Sequence, residues 1–277
     1  MILDGKAVAA QIRQELAIKC IGQSRSLAFI LIGDNPASHS YVSMKTRACE
    51  EIGIISINIK LKESVSEKEL LETIKKLNED PTIDGILVQQ PLPPHLLTEK
   101  ITSAIDPSKD VDGFHPLNLG KLILQDPTGF IPCTPLGILE LFKRYKIDLS
   151  SKRVLILGRS HIVGRPLSIL LSQNAPYCNA TVTMAHSKTQ NIKQLCLNSD
   201  IVIAAIGKPH FIQADMIQKG SIVIDVGINR VHDTIVGDVH FQEVQKKASY
   251  ITPVPGGIGP MTIAMLMSNT LKKRKND

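Results

Sequence analysis

RVLILGRSHIVGRP, residues 153–166, decides how the chain folds. Val154–Leu157 is a short apolar run closed by a glycine, the pattern of a parallel strand covered on both faces. Gly158 permits a backbone angle that a side chain forbids, and Gly164 and Pro166 open a helix whose first N–H groups aim back at the turn. A helix N-terminus carries partial positive charge and unsatisfied donors, so an anion is invited there. Strand, glycine turn and helix together predict a dinucleotide site in a Rossmann-like parallel sheet. The spacing departs from G-x-G-x-x-G: Ser160 takes the second glycine position, Val163 the third, and Gly164 comes one step late.

The neighbourhood of that turn is basic. Between Asp148 and Asp200 there is no Asp or Glu, while Lys152, Arg153, Arg159, Arg165, Lys188 and Lys193 all carry positive charge. An NAD site places a carboxylate at the end of its second strand to bond the ribose 2′-OH. Here the strand expected from Ala180 to Ala185 ends in His186, Ser187 and Lys188. That favours NADP, with Arg159 and Ser187 near the 2′-phosphate.

At 277 residues, 43% hydrophobic and 21% charged, the chain suits one large or two medium globular domains. No apolar run approaches the roughly 18 residues of a membrane helix. The opening MILDGK has Asp4 and Lys6 where a secretory segment is apolar, so a cytoplasmic enzyme without a membrane partner is expected. The cysteines, Cys20, Cys49, Cys133, Cys178 and Cys196, are scattered, odd in number and without a C-x-x-C pair. They read as reduced, mostly buried residues, with neither a metal nor a disulfide framework. Net charge is +6, and the closing KKRKND, which reads as a solvated tail, carries four basic residues and one acidic. The remaining excess is too diffuse for nucleic acid but suits a polyanionic small molecule.

In chain order the sequence predicts a helix from Leu3 to Cys20, a strand from Leu27 to Ile32, a helix from Ser38 to Glu51 and a strand from Ile54 to Leu61. A helix from Ser66 to Asn78, opened by Ser66 and Glu69 at capping-box spacing, and a strand from Ile83 to Val88 complete a βαβαβ unit with a parallel sheet. A short helix at Leu96–Ile105 and a long functional loop from Asp106 to Pro132 follow. The second half predicts a helix from Pro135 to Tyr145 and strands near 153–157, 180–184, 201–205 and 221–226. A variable turn region with a short helix fills 231–247, Tyr250–Thr252 is a last strand, and PVPGGIGP leads into a helix from Met261 to Lys272. The fold class is α/β: two α/β domains around a cleft, where substrates bind.

In the helix SHSYVSMKTRACEE, residues 38–51, the residues Tyr41, Val42, Met44, Ala48 and Cys49 share one arc with Ile52, opposite Arg47, Glu50 and Glu51. Lys45 sits inside the apolar arc. An ammonium directed at low dielectric loses stability, which lowers its pKa towards the range of a general base; the alternative is a stem that packs while its tip reaches water. Tyr41, one turn earlier on the same face, offers an aromatic platform beside it. Gln89 stands at the carboxyl end of the third strand, where open α/β sheets bind ligands, or is an edge amide bonded to backbone. In KDVDGFHP, Asp110 and Asp112 each suit an Asx turn, or one of them accepts paired hydrogen bonds from a planar amidine-like group; His115 reads as structural. No metal-ligand spacing, Ser-His-Asp order or P-loop is present.

The pieces SYVSMK (40–45), DGILVQQPLP (84–93), KDVDGFHP (109–116), PCTPLG (132–137), GRSHIVGRP (158–166), DVGIN (225–229) and PVPGGIGPMT (253–262) resemble the bifunctional methylenetetrahydrofolate dehydrogenase/methenyltetrahydrofolate cyclohydrolase family. The resemblance spans nearly the whole chain. It implies a folate-binding catalytic domain of residues 1–134 plus 260–277, an NADP-binding Rossmann-like domain of residues 135–259, and a homodimer. It implies that Lys45 handles protons in the cyclohydrolase step with Gln89 positioning it, that Tyr41 stacks on the folate, and that Asp112 holds the 2-amino-4-oxopterin. It further implies cofactor contacts at Gly158, Arg159, Ser160, Ser187 and Ile228, and a close backbone approach at Gly256 and Gly257. The substrate is then a polyglutamyl tetrahydrofolate. Departures from the family pattern are Gln90 in place of a common leucine, His39 before the tyrosine, and a lengthened NAPYCN at 174–179. Competing readings are an NADP-dependent dehydrogenase of a hydroxy acid or shikimate-like substrate, which gives no reason for an inward Lys45 behind Tyr41, and a nucleotide-sensing scaffold on the same fold.

Overall fold

Strand β1 (Arg25–Ile32) is the middle strand of a parallel sheet, flanked by β2 (Ile54–Leu61) and β3 (Gly85–Val88). The sequence dictates that position: RSLAFILI is apolar on both faces and buried from Ser26 onward, whereas IISINIKL alternates, as an edge strand with one solvated face must. The computed structural model describes residues 1–232 and 234–272, and residues 273–277 of the expected tail lie outside them. The chain divides into two units, one of Ala10–Cys133 with the chain from Ile263, the other of Met1–Ala9 with Thr134–Thr262.

In the first unit, α1 (Gly5–Cys20) contributes its part from Ala10, followed by β1, α2 (Pro36–Ile52), β2, α3 (Glu67–Glu79), β3, α4 (Thr98–Ala104) and α5 (Pro116–Ile123). Asn35 caps α2 by accepting from Ala37 N and Ser38 N, and Gly53, at φ 83°, ends it in the left-handed conformation. Ser66 caps α3 by accepting from Glu69 N at 3.2 Å. Ala28, Ile30, Leu70, Ile74, Ile86 and Ile101 are all buried in a core beneath the sheet. Beyond β3 the chain returns alongside it: Ile86 N donates to Lys109 O at 2.8 Å, and Ile86 bridges Asp110 in parallel. Gly85 makes room for this approach, since a Cβ there would stand 2.7 Å from Val111 Cγ1.

The expected loop from Asp106 to Pro132 is not structureless. It contains α5, opened by Pro116 and capped by His115, whose Nδ1 accepts from Leu117 N at 3.0 Å. Histidine is an uncommon cap and the helix has eight residues, so periodicity gave it little signal.

The second unit holds five parallel strands in the order β10-β7-β6-β4-β5, made of β4 (Arg153–Leu157), β5 (Thr181–Ala185), β6 (Ile201–Ala204), β7 (Ile222–Asp225) and β10 (Tyr250–Ile251). The connecting helices are α6 (Cys133–Arg144), α7 (Gly164–Ser172), α8 (Ile192–Leu197) and α9 (Phe241–Val244); α10 (Ile258–Thr270), the last helix among the described residues, begins here and belongs to the first unit from Ile263. Strand order reverses at β4, whose neighbours β5 and β6 lie on opposite sides, and ligands bind at such a switch point. Instead of a variable turn, the chain after β7 forms an antiparallel hairpin of β8 (Asn229–Val231) and β9 (Thr234–Val236).

Residues 1–9, assigned by sequence to the folate-binding half, group with the second unit because they pair with β10. Leu3 N donates to Ile251 O at 2.8 Å and Ile251 N to Met1 O at 3.1 Å. Among the described residues no helix is long and apolar enough to cross a membrane. All five cysteines are free and buried.

Candidate active site

Lys45 projects from α2 and donates to Gln89 Oε1 at 2.9 Å, joining the helix after β1 to the end of β3. Gln89 is itself fixed at both ends: its backbone N donates to Ile30 O at 2.9 Å and its Nε2 to Gln90 O at 2.6 Å. The amide therefore presents its oxygen to the lysine and cannot turn away without losing a bond. Lys45 keeps some surface open to solvent, but the protein crowds its ammonium, and this burial pushes its pKa below the usual lysine value. The Asp112 carboxylate and Cys133 oppose that shift. Of the apolar arc read from the sequence, Val42, Ala48, Cys49 and Ile52 are buried, but Met44 is exposed. Tyr41 is half-buried one turn before Lys45, and burial raises its hydroxyl pKa.

The structure separates the two aspartates that the residue pattern alone left as equals. Asp110 is buried and spends its oxygens on the chain: it accepts from Gly113 N at 3.2 Å, His115 N at 2.7 Å and Asn118 Nδ2 at 2.9 Å. Burial pushes its carboxyl up to about 6, with Asn118 and His115 opposing and Asp112 adding to the rise. Asp112 lies two residues further, past the carboxyl end of β3. Burial raises its pKa too, while the Lys45 charge and a hydrogen bond from Cys133 pull it down. Burial thus lowers the lysine and raises the carboxyl, which brings their proton affinities closer together than in water.

Cys133 completes this group, and the sequence reading missed it. Its thiol is buried, reaches Val111 O at 3.3 Å and faces Asp112; burial and that carboxylate push its pKa well above the usual thiol value. The only sequence signal was its place in PCTPLG. Phe114, Gln90, Leu92 and Asp112 line a small recess at the end of β3.

In the second unit, the turn after β4 fits a dinucleotide. Gly158 has φ 119° and no room for a side chain, since a Cβ would stand 2.2 Å from Ala205 O. Gly164 meets the same limit, 2.2 Å from Gly158 O, so it does the close-packing work of the third glycine of the fingerprint. The expectation that the helix N–H groups point freely at an anion needs correcting. Ser160 Oγ accepts from Val163 N at 3.1 Å and Gly164 N at 3.4 Å, and Ser160 O accepts from Arg165 N at 3.1 Å. With its lone pairs engaged, the Ser160 hydroxyl has only its hydrogen left to offer.

Gly158 N donates to Ala185 O at 2.9 Å, which brings the turn beside the segment His186–Thr189 that follows β5. Ser187 and Lys188 are exposed there, on a turn closed by His186 N to Thr189 Oγ1 at 2.9 Å. Of the basic residues counted from the sequence, Arg153 is paired with Asp200 and Lys193 with Asp215. Among the described residues Arg159, Arg165 and Lys188 make no ion pair. Ile228, between β7 and β8, is 49% exposed. Gly256 and Gly257 have a structural explanation as well: Gly256 has φ 106° and accepts from Lys6 N at 2.8 Å, and a Cβ at Gly257 would meet Pro253 O at 2.5 Å.

A clasp of aspartates, also missed from sequence, holds this region. Asp225 accepts from Gly227, Asp238 and Val239 N–H groups, and Asp238 accepts from Ile206, Gly207 and Lys208 N–H groups and from Asn229 Nδ2. The segments on either side of Ile228 are thereby tied to the turn after β6. Burial pushes the Asp225 carboxyl up to about 6.

A family model described as tetrahydrofolate dehydrogenase/cyclohydrolase, NAD(P)-binding domain matches residues 132–277, and one described as the catalytic domain of the same proteins matches residues 3–112. The bifunctional protein FolD of Protochlamydia amoebophila is 52% identical, over 98% of this chain and 96% of its own. The crystal structure of bifunctional FolD from Campylobacter jejuni has 50% identity and a TM-score of 0.94, covering 100% of this chain and 99% of that one. The Trypanosoma brucei methylenetetrahydrofolate dehydrogenase-cyclohydrolase, crystallised with NADP and an inhibitor, has 36% identity and a TM-score of 0.93, covering 98% and 96%.

Proposed function

The chain belongs to the bifunctional tetrahydrofolate dehydrogenase/cyclohydrolase family, and from that membership we propose how its residues divide the two reactions. The enzyme oxidises 5,10-methylenetetrahydrofolate to 5,10-methenyltetrahydrofolate and hydrolyses that product to 10-formyltetrahydrofolate in one-carbon metabolism. The first unit binds the folate and the second binds NADP.

Asp112 accepts paired hydrogen bonds from the 2-amino-4-oxopterin, whose donor edge matches a bidentate carboxylate. Tyr41 stacks on the folate beside Lys45. The product of oxidation is a cation with an electrophilic carbon. Neutral Lys45 accepts a proton as water adds to that carbon; the remaining O–H proton moves to N5 as the C–N5 bond breaks, leaving the formyl group on N10. Gln89 Oε1 steadies the lysine in its charged form and fixes where its nitrogen points. What carries this reading is the grouping of Lys45, Gln89 and Asp112, with an ammonium pushed down and a carboxyl pushed up by burial.

When bound, NADP supplies a nicotinamide ring that accepts hydride from the methylene carbon. Gly158 would let the backbone approach the pyrophosphate, Ser160 would donate to it, Arg159 and Ser187 would take the 2′-phosphate, and Ile228 would contact the cofactor. The lack of a carboxylate after β5 and the NADP in the Trypanosoma brucei relative both support NADP over NAD. Gly256 and Gly257 keep the backbone slim for a close approach of substrate. The working form is a cytoplasmic homodimer acting on polyglutamyl tetrahydrofolate. Incubation with methylenetetrahydrofolate and NADP, followed for methenyl and 10-formyl products, tests the assignment: absence of both removes it.

A further inference from the structure

Asn269, in the last turn of α10, is 5% exposed. Its side-chain nitrogen donates to Val111 O at 2.8 Å and Ile131 O at 3.1 Å, and lies 3.6 Å from Cys133 Sγ. Both oxygen partners are carbonyls, so the NH2 end faces them and both of its hydrogens are used. An apolar side chain would fill the same space without an amide to satisfy. The bonds matter for where they land.

Val111 immediately precedes Asp112, and Ile131 lies two residues before Cys133. Cys133 N donates to Asp112 O at 3.3 Å, and the Cys133 thiol reaches Val111 O and the Asp112 carboxylate. The segments 111–112 and 131–133 thus grip one another beside the carboxylate, and a single side chain from α10, 158 residues from Val111 and 138 from Ile131, fastens both. Nothing else on α10 bonds to Val111 or Ile131 through its side chain among the described residues.

We propose that Asn269 is a positioning residue for Asp112: by fixing Val111 and Ile131 it sets the direction in which the carboxylate leaves the chain, and so the affinity for the pterin end of folate. This rests on the reading of Asp112 as the folate-holding carboxylate. Asn269 touches no substrate; it acts through Asp112.

A double-mutant cycle tests it. Tetrahydrofolate affinity is measured by calorimetry for wild type, Asn269→Leu, Asp112→Asn and the double variant, with NADP affinity measured alongside. Asn269→Leu weakens tetrahydrofolate binding about tenfold and leaves NADP binding unchanged. On the Asp112→Asn background the same change weakens it less than about twofold, the coupling expected of residues acting as one unit. An equal loss on both backgrounds, or a parallel loss of NADP affinity, overturns the proposal. If Asp112→Asn alone binds as wild type, the reading of Asp112 fails and the proposal with it; if Asp112→Asn is weak and Asn269→Leu is not, the proposal alone fails. Should Asn269→Leu not fold, Asn269→Ser, which keeps one donor for two carbonyls, is taken through the same cycle.

Discussion

The Lys45 ammonium donates to the Gln89 amide oxygen at 2.9 Å across 44 residues of chain, so the proposed proton acceptor is aimed by a residue on a different element. Lys45→Met removes the amine while keeping most of the stem. Cyclohydrolase turnover should fall at least about 100-fold, the usual worth of a positioned acid–base group. NADP affinity, read by titration, should stay at the wild-type value. Retained hydrolysis would exclude the lysine from the chemistry.

The same pair sets a pH profile. Burial lowers the Lys45 pKa from 10.5, and in the proposed mechanism the neutral amine is the active form. The hydrolysis rate therefore rises with pH through a midpoint below 10.5 and then levels. Gln89→Glu adds negative charge beside the ammonium and should move that midpoint upward. A pH–rate series on the two proteins checks both statements.

Asp110→Ala strands the His115 N–H and one Asn118 amide hydrogen, while Gly113 N keeps the Asp110 carbonyl, and should destabilise the protein by about 3 kcal/mol at pH 7. Because burial raises this carboxyl to about 6, the folded chain binds its proton more tightly than the unfolded chain does. The proton-linked addition to that figure is therefore fullest below the ordinary aspartate pKa and is lost as pH rises through about 6. The gap between variant and wild type should widen from pH 7 to pH 5 in urea-unfolding midpoints.

Ser187→Asp places a carboxylate at the end of the second strand of the dinucleotide sheet. It should weaken NADP about tenfold or more through charge repulsion and improve NAD relative to it. Titration with both nucleotides decides; an unchanged ratio would move the 2′-phosphate away from Ser187.

Gly158→Ala combines φ 119° with a Cβ 2.2 Å from Ala205 O. Because the neighbour is backbone, the turn must shift, at a cost of about 2 kcal/mol or more. Weakened NADP binding with intact tetrahydrofolate binding is the expected calorimetric result.

Elements whose signal is local were legible in the sequence. Ile54–Leu61 is a strand at its expected bounds because alternation and a following turn both mark it. Lys45 and Gln89 could be picked out separately, but their bond depends on α2 crossing the end of β3, which no spacing states. Asp110 and Asp112 look alike in sequence; only the path of the chain after β3 gives one of them three donors and the other a lysine. Cys133 and Asn269 were invisible because their partners lie far along the chain. Met44 was placed on the buried arc, yet that flank of α2 faces out, since an apolar side chain at the margin of a helical stripe satisfies either environment.

Damage at position 110 and damage at position 112 would score alike in a screen that counts product, although one would loosen the scaffold and the other would blunt the tool it carries. A thermal-shift reading taken in parallel would sort such variants at once. A medicinal chemist should likewise aim donors at the second carboxylate only, since the first has already given its oxygens to the backbone.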